Sequence, residues 1–176
     1  MLAKCAWIWI NLPILNLWVL SMTELSPKTM SHSQISIAQL MQPEHANNLG
    51  NVHGGWIMKL ADECGALACM RHAQRRVVTV AVDSMTFQQP IKIGDLVNLR
   101  AEVTYTGRTS MEAEVHVEAE NPITGVKVYT NNAHLVYVAL DETGKPVEIP
   151  QVIAETPAEQ YRLDIAKQRQ ALRLKR

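Results

Sequence analysis

Asp62 is the residue whose surroundings in the sequence ask for a chemical explanation. Ile57, Leu60, Ala61, Cys64, Leu67 and Ala68 recur at the 3, 4, 3, 4 spacing of one helix face. At about 100° per residue, Asp62 falls about 140° from Ile57, off that face. Its neighbours on the wheel, Met58, Gly65, Ala66 and Cys69, are apolar or small, whereas Lys59 and Glu63 form an i, i+4 pair in a separate sector. The expected helix thus has two apolar faces, one for the chain's own sheet and one, lined by small residues, for another subunit with Asp62 at the seam. A carboxylate held there is a candidate general base or nucleophile, and an aspartate that only salt-bridges an interface is the competing reading.

The second element with chemical potential is "GNVHGG", Gly50 to Gly55, which runs into the same helix. Backbone N–H groups at a helix N-terminus are unpaired and carry partial positive charge, and Gly54 and Gly55 leave room for a ligand to reach them. Such donors suit an oxyanion hole; the alternative is that the glycines only permit a tight loop. Asn47, Asn48 and Asn51 belong to the same loop, where turn geometry alone explains asparagine. His53 has the chemistry of a base, but no G-x-S-x-G nucleophile motif accompanies it. His45, His53 and His72, spaced by eight and nineteen residues, match no metal-ligand pattern.

These groups need elements to hold them. A short strand is expected from Ile35 to Met41, ended by Pro43. The helix spans Trp56 to about Ala73. Beyond it the pattern alternates: in "MEAEVHVEAE", residues 111–120, the apolar residues point one way and Glu112, Glu114, His116, Glu118 and Glu120 the other, a strand with one wet face. "VVTVAVDSMTF" from Val77, "LVNLRAEVTY" from Leu96 and "VKVYTNNAHLVYVAL" from Val126 are further strands, with turn signals at "QQPIKIGD", "TGRTS", "ENPITG" and "DETGK". One helix followed by four antiparallel strands is an α+β pattern whose sheet must curl around the helix to bury it. Residues 1–34 read as an apolar extension and polar linker, 35–154 as the domain, and 155–176 as a charged helical tail on the surface.

Composition bounds the function. The chain has 176 residues, 47% apolar and 19% charged, which suits one domain with one core. Seventeen basic residues balance 17 acidic ones, which argues against a nucleic-acid partner and requires any anionic ligand to meet a local basic patch. Cys5, Cys64 and Cys69 have no disulfide or zinc spacing and are expected as buried thiols of a reducing compartment. The first twenty residues are apolar with Lys4 near the start, like a secretory signal, yet Asn11, Pro13 and Asn16 interrupt them. Membrane targeting therefore competes with an extension that precedes a working start at Met22 or Met30.

Five segments, "NNLGNVHGGWIMKLADECGALA", "VVTVAVDSMTF", "PIKIGDLV", "TGRTSMEAEV" and "AHLVYVALDETGKP", occur in an order and spacing that resembles the broad-specificity acyl-CoA hydrolases of the bacterial YciA type and the related brain-type acyl-CoA hydrolases. The resemblance runs from about Gln39 to Ala154. It implies a hotdog fold, a long central helix wrapped by a curved antiparallel sheet, assembling as a homodimer and commonly as a trimer of dimers. Asp62 matches the catalytic aspartate and Asn47 the catalytic asparagine, the two meeting across the dimer seam from different chains. Asn51 matches a loop residue beside His53, and Gly54 and Gly55 the oxyanion donors. Arg108, Thr109 and Ser110 resemble the turn that lies along the pantetheine and phosphates of coenzyme A.

The implied reaction is hydrolysis of fatty acyl-CoA to fatty acid and CoA in the cytoplasm, without cofactor, metal, nucleic acid or stable membrane partner. Two alternatives stand beside it. One is a hydratase or dehydratase of the same fold, with His53 and Asp62 as an acid/base pair. The other is a non-catalytic acyl-CoA-binding module, which wants a fused partner domain.

Overall fold

The computed structural model describes residues 25–175. The apolar run of residues 1–20, Cys5 and both readings of the extension lie outside the described residues. In chain order the elements are β1 (Lys28–Thr29), β2 (Ile35–Leu40), α1 (Gly54–Ala73), β3 (Arg76–Met85), β4 (Leu96–Thr106), β5 (Ser110–Glu120), β6 (Lys127–Leu140), β7 (Val152–Ile153) and α2 (Pro157–Arg173).

The start of α1 is fixed by His53, whose extended backbone makes it the N-cap and whose Nδ1 accepts from the Gly55 N–H at 2.9 Å. Its end is fixed by Gln74, which turns left-handed at φ 53° and returns its N–H to the Met70 carbonyl. Between these ends Ile57, Leu60, Ala61, Cys64 and Ala68 of the predicted face are buried, whereas Leu67, expected on the same face, is exposed at its margin. They pack on the concave side of a five-stranded antiparallel sheet of order β2-β4-β5-β6-β3.

Alternation puts Val97, Leu99, Ala101 and Val103 of β4, and Met111, Ala113, Val115 and Val117 of β5, on that side, fully buried or nearly so. Fully burying one such large apolar side chain contributes about 1.5–3 kcal/mol. The sheet therefore closes on the helix as the alternating pattern requires. Gly65 and Cys69, expected to face another subunit, are buried within the chain instead. Gly65 lies against Tyr137 of β6, so the small residue admits the chain's own aromatic ring. Cys64 and Cys69 are free and buried, and desolvation pushes the Cys64 thiol up to about 12 and Cys69 well above its ordinary value, so neither is a nucleophile.

Two expectations are corrected. The face of β5 read as wet is covered at Glu112 and Glu114, which are 0% and 7% exposed. The cover is α2, expected as a surface helix from Ala158, which docks Leu163 and Ala166 and sets three arginines on the carboxylates. Arg162 pairs with Glu102 and Glu114, Arg169 donates to Glu112 at 3.0 and 2.6 Å, and Arg173 reaches Glu112 at 2.9 Å and Asp83. Glutamates that alternate as a solvated face are thus the sockets for a basic helix.

Secondly, residues 28–33, read as linker, are built into the fold. Lys28 and Thr29 pair parallel to β7, the Lys28 ammonium donates to the His72 carbonyl at 2.7 Å, and Met30 is fully buried. Ser33 Oγ donates to the Met30 carbonyl and accepts the Val103 N–H at 2.8 Å.

Candidate active site

The position of Asp62 follows from strand register. Thr79 of β3 and Tyr137 of β6 are directly opposite partners, and Met111 of β5 is opposite Tyr137 on its other side. Side chains opposite each other in an antiparallel pair share a face, and here that row meets α1 one turn past its first buried residues. Thr79 Oγ1 donates to Asp62 Oδ1 at 2.7 Å. The Tyr137 hydroxyl donates to the Asp62 backbone carbonyl at 2.9 Å and lies 3.2 Å from Oδ1.

Both contacts hold the same carboxylate oxygen. Oδ2 accepts no hydrogen bond among the described residues. The register of β3 slips between Thr79 and Ala81, a bulge of the kind that re-aims side chains near sites. Sequence reasoning missed Thr79 and Tyr137. The available signals were a lone hydroxyl in the apolar run "VVTVAV" and a phenol on the inward phase of β6, Ala133, Leu135, Tyr137, Ala139.

The loop residues form a separate place. Asn47 Oδ1 accepts the N–H groups of Leu49 at 2.8 Å and Asn51 at 3.2 Å, which shapes the turn and leaves its amide nitrogen without a partner among the described residues. Asn47, Asn51, Gly54 and Phe87 line a hollow of about 320 Å³ at the N-terminus of α1. The Phe87 ring lies over Gly54, where a Cβ would meet Cζ at 3.4 Å. Of the two candidate oxyanion donors, Gly55 already gives its N–H to His53, whereas Gly54 gives its N–H to no partner among the described residues.

Asp62 comes eight residues after Gly54 in one helix, which at 1.5 Å per residue separates them by about 12 Å. Within one chain, then, the Gly54 N–H and Asp62 stand too far apart to meet at one small group.

Arg108, Thr109 and Ser110 make the tight turn between β4 and β5, closed by the Gly107 N–H on the Ser110 carbonyl at 2.8 Å. Arg108 is three residues ahead of Met111, so at most about 11 Å of chain separates it from the Thr79–Tyr137–Met111 row. Among the described residues its one ion pair, with Glu148 at 3.5 Å, is exposed on both sides. The turn thus lies at the Asp62 end of the sheet.

A groove of about 610 Å³ lies elsewhere, on the convex side of the sheet beside Arg100, His116 and Tyr129. Lys127 there is paired with Glu118 and Glu120. Among the described residues no three His, Cys, Asp or Glu side chains are grouped to hold a metal ion, and no helix is long and apolar enough to cross a membrane.

Comparison with known proteins points one way. Residues 49–126 match the model of the thioesterase superfamily. The cytosolic acyl coenzyme A thioester hydrolase of Rattus norvegicus is 37% identical over 145 residues, covering 81% of this chain and 38% of that protein. The acyl-CoA thioester hydrolase YkhA of Bacillus subtilis is 38% identical over 117 residues, covering 66% of this chain and 68% of its own length. This chain thus spans well under half of the mammalian relatives it matches and about two thirds of the bacterial one.

Among solved structures, an apo-hexameric acyl-CoA thioesterase superposes with a TM-score of 0.82 at 37% identity over 85% of this chain and 96% of that one. The acyl-CoA hydrolase of Staphylococcus aureus, solved with butyryl coenzyme A, coenzyme A and coenzyme A disulfide, gives 0.77 at 35% identity over 83% and 89%. The Staphylococcus enzyme has also been solved as separate alanine mutants of an aspartate, an asparagine and a threonine. The long helix wrapped by an antiparallel sheet is the hotdog fold of these proteins.

Proposed function

The chain belongs to the thioesterase superfamily, and on that premise we propose that it is an acyl-CoA thioesterase that hydrolyses fatty acyl-CoA to free fatty acid and CoA. The observation that carries this reading is Asp62 itself: a carboxylate held at Oδ1 by Thr79 and Tyr137, at the end of the sheet that carries the Arg108 turn. Acting as a base, Asp62 takes a proton from water while the hydroxyl oxygen bonds to the thioester carbon. Collapse of the tetrahedral intermediate breaks the C–S bond, and the CoA thiolate leaves without strong acid assistance. Acting as a nucleophile, Asp62 would form an anhydride that water then opens.

The oxyanion needs a donor that Asp62's own end of the helix lacks. The Gly54 N–H at the other end of α1 is such a donor, and Asn47 beside it orients the water. Two copies related by a twofold axis solve the geometry. β3 is an edge strand whose Val78, Val80 and Val82 are about half exposed, and an exposed apolar edge of ten residues is a strong pairing site. Antiparallel pairing of β3 with its copy brings the Gly54 end of one chain to the Asp62 end of the other. This pairing and the hexameric neighbours support a homodimer, assembled further as a trimer of dimers.

In the same reading Arg108, Thr109 and Ser110 meet the CoA phosphates, and the protein works in the cytosol as the mammalian relatives' name suggests. A hydratase is less favoured, because His53 spends Nδ1 on Gly55 as a helix cap. The test is release of free thiol from a panel of acyl-CoA chain lengths by the wild type and by Asp62→Ala. The wild type should release thiol, and the variant should lose at least about 10²-fold in kcat with its assembly intact. A variant that keeps more than about a tenth of wild-type kcat removes Asp62 from the chemistry.

A further inference from the structure

No bond of Tyr137 or Gly65 changes in the hydrolysis, yet both residues converge on Asp62. Tyr137 has no exposed surface, and both contacts of its hydroxyl run to one residue, to the Asp62 backbone carbonyl and to Oδ1. A hydroxyl has one proton to give, so the bond is shared or alternates between the two. Either way Asp62 is what satisfies a polar atom that water does not reach. Burial first, and then the Asp62 carboxylate beside it, push the Tyr137 hydroxyl above its ordinary range, so it stays protonated and remains a donor.

Room for this contact is made by the helix. A Cβ at Gly65 would come within 2.5 Å of the Tyr137 hydroxyl oxygen and 3.2 Å of its ring. Glycine is the least favoured residue but proline inside a helix, and here it gives the phenol its path to Asp62. Thr79 donates to the same carboxylate oxygen from β3, the edge strand of the sheet. The Tyr137 ring is anchored in the core and supplies a rigid reference.

We infer that Tyr137 is a positioning residue for thioester hydrolysis: its hydroxyl, admitted by Gly65, holds Asp62 so that Oδ2 faces the substrate. The inference rests on the proposed catalytic role of Asp62.

The test compares kcat and KM for acyl-CoA, thermal midpoint and assembly size in Tyr137→Phe, in Gly65→Ala, and in Tyr137→Phe combined with Asp62→Asn. Tyr137→Phe should lower kcat about tenfold, the order that loosened geometry costs, with KM within about twofold. Its thermal midpoint should stay within about 2 °C and its assembly size should not change. On the Asp62→Asn background the same change should alter the residual kcat by less than about twofold, because Tyr137 acts through Asp62. Gly65→Ala, which keeps the phenol but displaces it, should reproduce the loss in kcat.

Wild-type kcat in Tyr137→Phe overturns the inference, as does an equal fractional loss on the Asp62→Asn background. Should Tyr137→Phe fail to fold, Gly65→Ala decides, and an unchanged kcat there overturns it. Failure of the underlying reading has a different signature, full activity in Asp62→Asn alone, and the inference falls with it.

Discussion

Replacing Glu112 by Ala removes the socket that holds α2 on the sheet. The Glu112 side chain is fully buried and receives Arg169 through Nε at 3.0 Å and a terminal nitrogen at 2.6 Å, and Arg173 at 2.9 Å. Those arginine side chains are themselves only 23% and 14% exposed. Glu112→Ala leaves Arg169 without its acceptor, while Arg173 keeps Asp83 and Gln170. Breaking a buried ion pair from one side costs about 3–5 kcal/mol, chiefly the charge left uncompensated.

For a domain of this size each kcal/mol moves the midpoint by roughly 2–4 °C, so a fall of about 10 °C is expected at fixed protein concentration. Thermal unfolding followed by circular dichroism measures it, and amide exchange in residues 157–173 should quicken with it. Replacing Glu112 and Arg169 together by Leu and Met, with Arg173 left on Asp83, should recover part of the loss, because apolar packing then replaces the buried pair. A midpoint within about 2 °C of wild type in Glu112→Ala would refute the claim that these carboxylates clamp the helix.

Acid should loosen the same region: burial, and then Arg169, hold His134 down from 6.5 to about 4. The unfolded chain binds this proton first, so stability is full above pH 6.5 and is lost as pH falls towards 4, a loss of order 3 kcal/mol that His134→Gln should flatten in thermal midpoints across that window. A chain started at Met30 loses the β1 pairing and the Lys28 bond to His72 and sets a charged amine on a buried residue, so its midpoint should fall by several degrees, whereas one started at Leu25 should match the full chain in activity per site. Thr79→Val should lower kcat about tenfold with KM little changed, read by the same thiol-release assay.

The fold was legible where a pattern has one meaning. The 3, 4 spacing from Ile57 to Ala68 marks the core face of a helix, and the alternation in "MEAEVHVEAE" has only one strand phase, so α1 and β5 form where the residues predict. What alternation cannot say is what covers the polar phase. Glu112 and Glu114 look solvated until the arginines of the basic helix, 48 and more residues later, are laid across them, because an arginine partner makes a buried carboxylate read like an exposed one. Met30 and Ser33 were hidden for a related reason: a short strand paired in parallel to β7 has no local periodicity to betray it.

At the site, Asp62 stood out by its lack of charged neighbours along the helix, a local signal. Thr79 and Tyr137 reach it through register between β3 and β6, and a pairing between residues 58 positions apart leaves no trace in either segment alone. The 12 Å between Gly54 and Asp62 was likewise implicit in the helix from the start.

The central claim is that one active site is built from two chains, and mixing two inactive variants tests it most directly. Asn47→Ala removes one half-site and Asp62→Ala the other, so in a homodimer of either variant both sites are broken. After reassembly of a 1:1 mixture, half of the dimers are mixed, and each holds one site with both substitutions and one with neither. With exchange confirmed by mass, thiol release should rise to about a quarter of the wild-type rate per chain. Activity that stays at the level of the separate variants after full exchange would mean that Asn47 and Asp62 serve the same chain, contradicting the shared site.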